Sequence, residues 1–194
     1  MWLLVRIKRE LYTWKYQKPI DQAPSKFLIR NLNRINILEK PIIDAACGYD
    51  RNGAYLAKNR YKVIFIDYDI DCLKYIQEGK TISDKGHVDK KYIRTIKKDL
   101  ENELLPFPDE SVGGVIDIHY YNPLLINESV RVLCKGGFLC FESIEARGKN
   151  IDSLPEYGSI RKSLKNFEII EYHEYEKGSK WMHKATLKVL AIKK

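Results

Sequence analysis

Runs of apolar residues and stretches of helical periodicity take turns along the chain, and the switches between them lay out its elements. Ile42-Ile43 runs into Asp44-Ala45-Ala46-Cys47-Gly48. A short apolar run ending in small residues is the pattern of a buried strand entering a tight loop. Val63-Ile64-Phe65-Ile66 is a second such run, stopping abruptly at Asp67. Tyr92-Ile93 with Ile96 leads toward Asp99-Leu100, and Val115 to Ile118 and Phe138 to Phe141 supply two more runs. Uninterrupted apolar runs predict parallel strands covered on both faces.

Helical spacing fills the gaps. Ser25 caps a predicted helix that carries Leu28, Leu32 and Ile35, and Arg51 to Asn59 forms the next. Asp69 caps a third, with Ile70, Leu73 and Ile76 near one face and Gly79 placed to stop it. Leu125, Val130 and Leu133 predict a fourth, closed by Lys135-Gly136-Gly137. A short helix at Ile160 and Leu164 precedes two strands, Phe167 to Tyr175 and Ala185 to Ile192, with only a polar loop between them. Adjacent strands without a helix between them predict an antiparallel pair at the sheet edge. The expected fold is α/β: an open, mostly parallel seven-stranded sheet with helices on both faces and an antiparallel edge strand near the C-terminus. Residues 1–194 read as a single domain with an N-terminal appendage at about 1–23.

Composition narrows the class. At 194 residues, 44% hydrophobic and 31% charged, the chain supports one core and excludes collagen, coiled coil, wholesale disorder and disulfide-stapled miniproteins. Lys and Arg total 34 against 26 Asp and Glu, a net charge of +8 that favours acidic partners without naming one. The basic run Lys85, Lys90, Lys91, Arg94, Lys97 and Lys98 has only Tyr92 interleaved, which reads as a solvated face and does not favour nucleic acid. Cysteines at 47, 72, 134 and 140 show no metal-ligand spacing, so no metal is expected and reduced thiols are the default. After Met1, four apolar residues precede the first charge, far short of the roughly 20 a membrane span needs. The expectation is a soluble, cytoplasmic protein with no membrane contact.

Ligands of open α/β sheets bind outside the carboxyl ends of the strands. There, Ala46-Cys47-Gly48 has side chains small enough for backbone to approach a ligand, and amides next to a helix N-terminus that suit a carboxylate. Asp67 can accept two hydrogen bonds from vicinal ribose hydroxyls, and Asp99 can accept from an exocyclic amine. Together they fit an adenosine with a charged tail.

Four segments occur in order: IIDAACGYDRNG at 42–53, VIFID at 63–67, DLENELLPFPDESV at 99–112 and RVLCKGGFLCFES at 131–143. This set resembles the class I S-adenosylmethionine-dependent methyltransferases, most closely their small tellurite-resistance-like, small-molecule branch. The resemblance implies S-adenosyl-L-methionine as cofactor, bound through Asp44, Ala46, Cys47, Gly48, Asn52, Asp67, Tyr68, Asp99 and Leu100. In that family pattern Asp44 orients the loop or approaches the methionine amino group, and Ala46 and Gly48 pass beside the methionine. Asp67 holds the ribose, and Asp99 with the Leu100 amide faces adenine. The sequence departs from the pattern at Ala46 and Asp50, which stand where glycines are usual. It departs again at Gly113-Gly114, which replace an aromatic-flanked acid and weaken the fourth strand locally.

His119-Tyr120-Tyr121-Asn122-Pro123 leaves the fourth strand beside the expected position of the methyl group. His119 is the candidate base and Tyr120 its catalytic companion or a pocket wall. Asn122-Pro123 is similar in part to the Asn-Pro-Pro-aromatic motif of amino-group methyltransferases, with Leu124 and Leu125 in place of its last two residues. Cys47 reads as a small filler, since nothing is arranged to activate it. Trp2, Tyr12, Trp14 and Tyr16 are candidates for a lid. The expected reaction is methyl transfer to an oxygen, nitrogen or other nucleophile of a small-molecule acceptor, giving S-adenosylhomocysteine. The alternatives are an RNA or protein methyltransferase, in keeping with the charge, and a non-catalytic cofactor-binding regulatory domain. A nicotinamide-dependent dehydrogenase is disfavoured, because Gly48 and Gly53 do not form the GxGxxG fingerprint.

Overall fold

Seven strands form one sheet in the computed structural model, which describes residues 23–80, 87–143, 153–178 and 183–194. The strands are β1 (Ile42–Ala45), β2 (Val63–Asp67), β3 (Ile93–Lys97), β4 (Val112–Ile118), β5 (Leu133–Glu142), β6 (Phe167–Lys177) and β7 (Lys184–Lys193). Their order is β3-β2-β1-β4-β5-β7-β6. The first five run parallel, and β7 enters antiparallel between β5 and β6, leaving β6 as the edge strand. The chain turns outward in opposite directions from β1 and β4, so the crevice between them is the topological switch point where such sheets bind ligands.

The helices are α1 (Lys26–Asn31), α2 (Arg51–Lys58), α3 (Ile70–Gln77), α4 (Pro123–Val132) and α5 (Ser159–Ser163). Period-two alternation along the strands divides the core. Ile42, Val63, Phe65, Ile116 and Phe138 pack with Phe27, Leu28, Leu56, Leu73 and Ile76 from α1, α2 and α3. Ile43, Ile64, Ile66, Val115 and Leu139 pack with Leu125, Ile126, Ile160 and Leu164 from α4 and α5. Both faces are therefore covered, which is why β1 and β2 read as continuous apolar runs.

The expected fold stands, with local corrections. The helix predicted from Ser25 to Ile35 closes at Asn31 and continues as a single 3₁₀ turn, Leu32–Arg34. Helix α4 stops at Val132, and Leu133 is extended and already belongs to β5. Strand β4 begins at Val112 and runs through both glycines. Gly114 is required there because the Phe138 ring lies against its Cα, leaving 2.3 Å to the nearest ring carbon for any added Cβ. Val112 pairs with Leu133 and Gly114 with Phe138, so residues 134–137 loop out of the ladder as a bulge. Lys135-Gly136-Gly137 thus makes a bulge inside β5 and not a helix cap. The N-terminal aromatic appendage and Lys85 lie outside the described residues.

Candidate functional site

The carboxyl edge of the sheet gathers the tail of each parallel strand in spatial order: Asp99 after β3, Asp67 at the end of β2, residues 46–50 after β1, His119 after β4 and Glu142 at the end of β5. The 46–50 loop is held open by left-handed backbone at Ala46, Gly48 and Asp50, with φ of 51°, 51° and 75°. Ala46 and Asp50 thus adopt the conformation that glycine takes without strain. The Cys47 N–H donates to the Ile66 carbonyl at 3.1 Å, tying the loop to β2. Asp67 completes the tie. Its Oδ2 accepts the Gly48 N–H at 2.8 Å and its Oδ1 the Asp69 N–H at 2.9 Å. Burial raises the Asp67 carboxyl, and those two amides oppose the rise.

Asp44 lies beneath this loop. Its Oδ2 accepts the Gly53 N–H at 2.8 Å. A Cβ at Gly53 would come within 2.6 Å of that oxygen and 2.3 Å of the Phe65 ring, so the close approach of α2 to β1 requires glycine. Burial pushes the Asp44 carboxyl up to about 8, against the Gly53 amide and with Asp50 and Asp67 adding to the rise. Burial likewise drives the Cys47 thiol upward, reinforced by Asp44 and Asp67, so it is no thiolate nucleophile. On the opposite face of the sheet, Asp117 of β4 is fully buried. Its two carboxylate oxygens are the only buried side-chain oxygens or nitrogens without a hydrogen-bond partner among the described residues. Burial, then the nearby Asp44, raises its carboxyl well above the ordinary range.

At the β4–β5 end, His119 leaves its strand with φ of 69° and donates its N–H to the Glu142 carbonyl at 2.7 Å. Its Nε2 lies 3.2 Å from Glu142 Oε1, and its Nδ1 lies 3.0 Å from Arg51 Nη2. Glu142 Oε2 also accepts the Ser25 hydroxyl at 3.0 Å and lies 3.6 Å from Lys188 Nζ. Burial acts to raise Glu142, but His119, Lys188 and Ser25 together hold it below the usual carboxylate range. Asn52 accepts the Ser25 N–H at 2.9 Å and so fastens the chain before α1 to α2. Asp99 turns inward on its own loop, accepting from the Glu101 N–H and the Asn102 side-chain amide, each at 3.1 Å. Leu100 beside it is buried, whereas Tyr68 projects into solvent, 60% exposed. Tyr120 is half-buried and packs against the core cluster that includes Leu125 and Ile126 of α4. Next to it, Tyr121, Asn122, Glu156 and Lys184 help line a cavity of about 460 Å³.

The family described as "Methyltransferase domain" matches residues 43–141, half of the chain, from β1 through β5. The chain belongs to this methyltransferase family. Its sequence is 28% identical over 125 residues to the phthiotriol/phenolphthiotriol dimycocerosates methyltransferase of Mycobacterium leprae (strain TN), covering 62% of this chain and 43% of that protein. The chain thus spans less than half the length of this curated relative. Among solved structures, TehB from Haemophilus influenzae superposes with a TM-score of 0.62 at 18% identity, over 86% of this chain and 61% of that one. A TehB-like S-adenosylmethionine-dependent methyltransferase from Corynebacterium glutamicum gives 0.56 at 17% identity, over 97% and 96%. One from Methanosarcina mazei gives 0.58 at 17%, over 88% and 98%. These likenesses show the class I S-adenosylmethionine-dependent methyltransferase fold.

The residues of this methyltransferase domain fit the family's cofactor. Glycine at 48 leaves the loop without a side chain beside the ligand crevice, and the acidic edge suits a cation. Of the residues singled out from sequence, Asp44, Ala46, Cys47, Gly48 and Asp67 converge on one loop, and His119 joins them through Arg51. Asn52 accepts from Ser25, and Asp99 is engaged in its own turn. Sequence reasoning passed over Arg51, Glu142 and Asp117. The acid inside the otherwise apolar β4 run Val115-Ile116-Asp117-Ile118 was the available signal for the last.

Proposed function

We propose that the domain transfers the methyl group of S-adenosylmethionine to an oxygen, nitrogen or other nucleophile of a small molecule, leaving S-adenosylhomocysteine. The convergence of the 46–50 loop, Asp67 and the His119–Glu142 pair on the β1/β4 switch point carries this reading. When bound, the cofactor supplies an electrophilic methyl on a positively charged sulfur. The protein's part is then to align, to exclude water and to move a proton.

In this reading the backbone at Ala46, Cys47 and Gly48 lies along the methionine part, and Asp44 orients that loop. Asp67, already set by two amides, retains lone pairs for the ribose hydroxyls. Asp99 and the Leu100 amide face the base, with exposed Tyr68 available to cover it. His119 accepts the acceptor's proton while Glu142 holds the ring, and Tyr120 walls the acceptor side. The lipid substrate named for the M. leprae relative supports a small-molecule acceptor. The four cysteines, all unpaired, suit a reducing compartment such as the cytoplasm. No helix among the described residues is long and apolar enough to cross a membrane.

Lys91 and Lys98 of the basic run are paired with Asp89 and Glu103, in keeping with a solvated face. Incubating the pure protein with radiolabelled S-adenosylmethionine and fractionated cell extract tests the reading. Label is expected in the small-molecule fraction. Label confined to RNA or protein overturns the acceptor class, and saturable cofactor binding without transfer into any fraction overturns the enzymatic reading in favour of a regulatory domain.

A further inference from the structure

We propose that Arg51 is a positioning residue that occupies His119 until the carboxylate of bound S-adenosylmethionine draws its guanidinium away and frees the imidazole to act as base. This rests on the reading of His119 as the base and of the 46–50 loop as the methionine end of the site.

The protonation pattern follows from donor chemistry. A guanidinium has only donors, so His119 Nδ1, 3.0 Å from Arg51 Nη2, must be the acceptor. Nε2 of the neutral ring therefore carries the hydrogen and donates it to Glu142 Oε1 at 3.2 Å. Both ring nitrogens are engaged, and the one lone pair able to take a proton is covered. The ring is also the fixed partner. Its backbone is held at a positive φ and bonded to the Glu142 carbonyl, and Glu142 is itself anchored by Ser25 and Lys188.

Arg51 is the movable partner. Among the described residues its other hydrogen bond is a single 3.3 Å contact to the Ala23 carbonyl. It opens α2 directly after the 46–50 loop and is the only cationic side chain between residues 41 and 57. A ligand carboxylate arriving at that loop meets the guanidinium that directly follows it in the chain. A bidentate, charge-assisted guanidinium–carboxylate pair is stronger than one bond to a neutral imidazole. With Arg51 withdrawn, the acceptor's proton passes to Nδ1. The electron pair it leaves behind forms the bond to methyl, and the pair of the broken carbon–sulfur bond stays on sulfur. The imidazolium keeps its Nε2–H on the Glu142 carboxylate and returns the extra proton to water. Base activation thus waits for cofactor.

Long-range proton–nitrogen correlation spectra of ¹⁵N-histidine-labelled protein report each ring nitrogen separately. The chain has four histidines, so His119→Gln assigns the relevant pair. The probes are S-adenosylhomocysteine, which retains the carboxylate, and 5′-methylthioadenosine, which lacks it. The first is expected to move His119 Nδ1 to the position of a lone pair free of hydrogen bonds while Nε2 stays protonated; the second should bind and leave Nδ1 unchanged. Arg51→Met should show the free Nδ1 signal without ligand and bind S-adenosylhomocysteine at least about tenfold more weakly, with 5′-methylthioadenosine affinity unchanged. Binding of S-adenosylhomocysteine to wild-type protein with Nδ1 unmoved overturns the proposal, and this readout needs no variant to fold. Failure of both compounds to bind overturns the cofactor reading itself.

Discussion

Replacing Asp44 with Asn is expected to flatten the pH dependence of folding stability, because the native protein keeps a proton there that the unfolded chain gives up. The side chain is 2% exposed, and burial is the main cause of the rise of its carboxyl to about 8 from 3.8. Below the lower value both states are protonated, and the group adds no slope. Between the two values only the folded state holds the proton, so each pH unit removes about 1.4 kcal/mol of stability. The interval spans about four units, so the full loss approaches 6 kcal/mol and levels off above pH 8. That is a large share of the 5–15 kcal/mol that holds roughly any domain together. Asn retains an oxygen to accept the Gly53 N–H but does not titrate in this range. Urea unfolding followed by circular dichroism from pH 4 to pH 8 measures both proteins. Subtracting one curve from the other cancels the remaining carboxylates. The variant should gain on wild type with each unit and exceed it by several kcal/mol at pH 8. Parallel curves across that range would show that Asp44 is ionised in the folded protein and that its burial does not govern its charge.

Three further substitutions probe the same edge. Asp67→Ala should weaken S-adenosylmethionine binding by about 1.5–3 kcal/mol in a calorimetric titration, the worth of hydrogen bonds to a charged group; unchanged affinity removes Asp67 from the ribose. Gly53→Ala should lower stability by roughly 1–3 kcal/mol through overpacking, since its Cβ would sit 2.3 Å from the Phe65 ring; a wild-type melting temperature contradicts the close packing of α2 on β1. Asp117→Val should raise stability by about 1–3 kcal/mol at neutral pH, because it removes a buried carboxyl with no partner, and denaturant unfolding that finds a less stable protein would mean the acid is satisfied in solution.

Most of the fold was legible because two-sided burial writes itself into sequence as unbroken apolar runs. Val63 to Ile66 and Phe138 to Phe141 each face a helical layer on both sides, and no polar residue interrupts them. Caps were equally plain: Asp69 accepts the Asp71 N–H at 2.8 Å, as its place before Ile70 implied. The β4–β5 start was less readable. Gly113, Gly114, Gly136 and Gly137 signal turns locally, but their use depends on the Phe138 ring and the bulge pairing, both of which are long-range. At the site, Asp67 was visible because an acid ending an apolar strand has few other uses. Glu142 and Arg51 were hidden for the opposite reason. Each is ordinary in its own segment and becomes informative only when β4 and β5 lie side by side and bring His119 between them.

Arg60 and Glu110 take a left-handed φ elsewhere, but three further left-handed residues meet the buried aspartates at one edge, and that meeting independently argues for a binding edge. Ala46, Asp50 and His119 take left-handed backbone outside glycine, Asp44 and Asp67 are buried acids, and Asp117 has no partner. Each works against folding, and all lie at the carboxyl ends of β1, β2 and β4. A domain built only to be stable would have spread such costs or removed them, as β4 does at Val115 and Ile116, one on each face of the sheet. With Asp44 and Asp117 keeping their protons, the negative charge of this edge falls to Asp67 and to Glu142, which its partners hold below the usual carboxylate range, on a chain of net charge +8. A purely structural sheet end has no use for that polarity, whereas a site for a sulfonium does. The product of methyl transfer is a neutral thioether, so such an edge favours the reagent over the product by the one charge that the reaction removes.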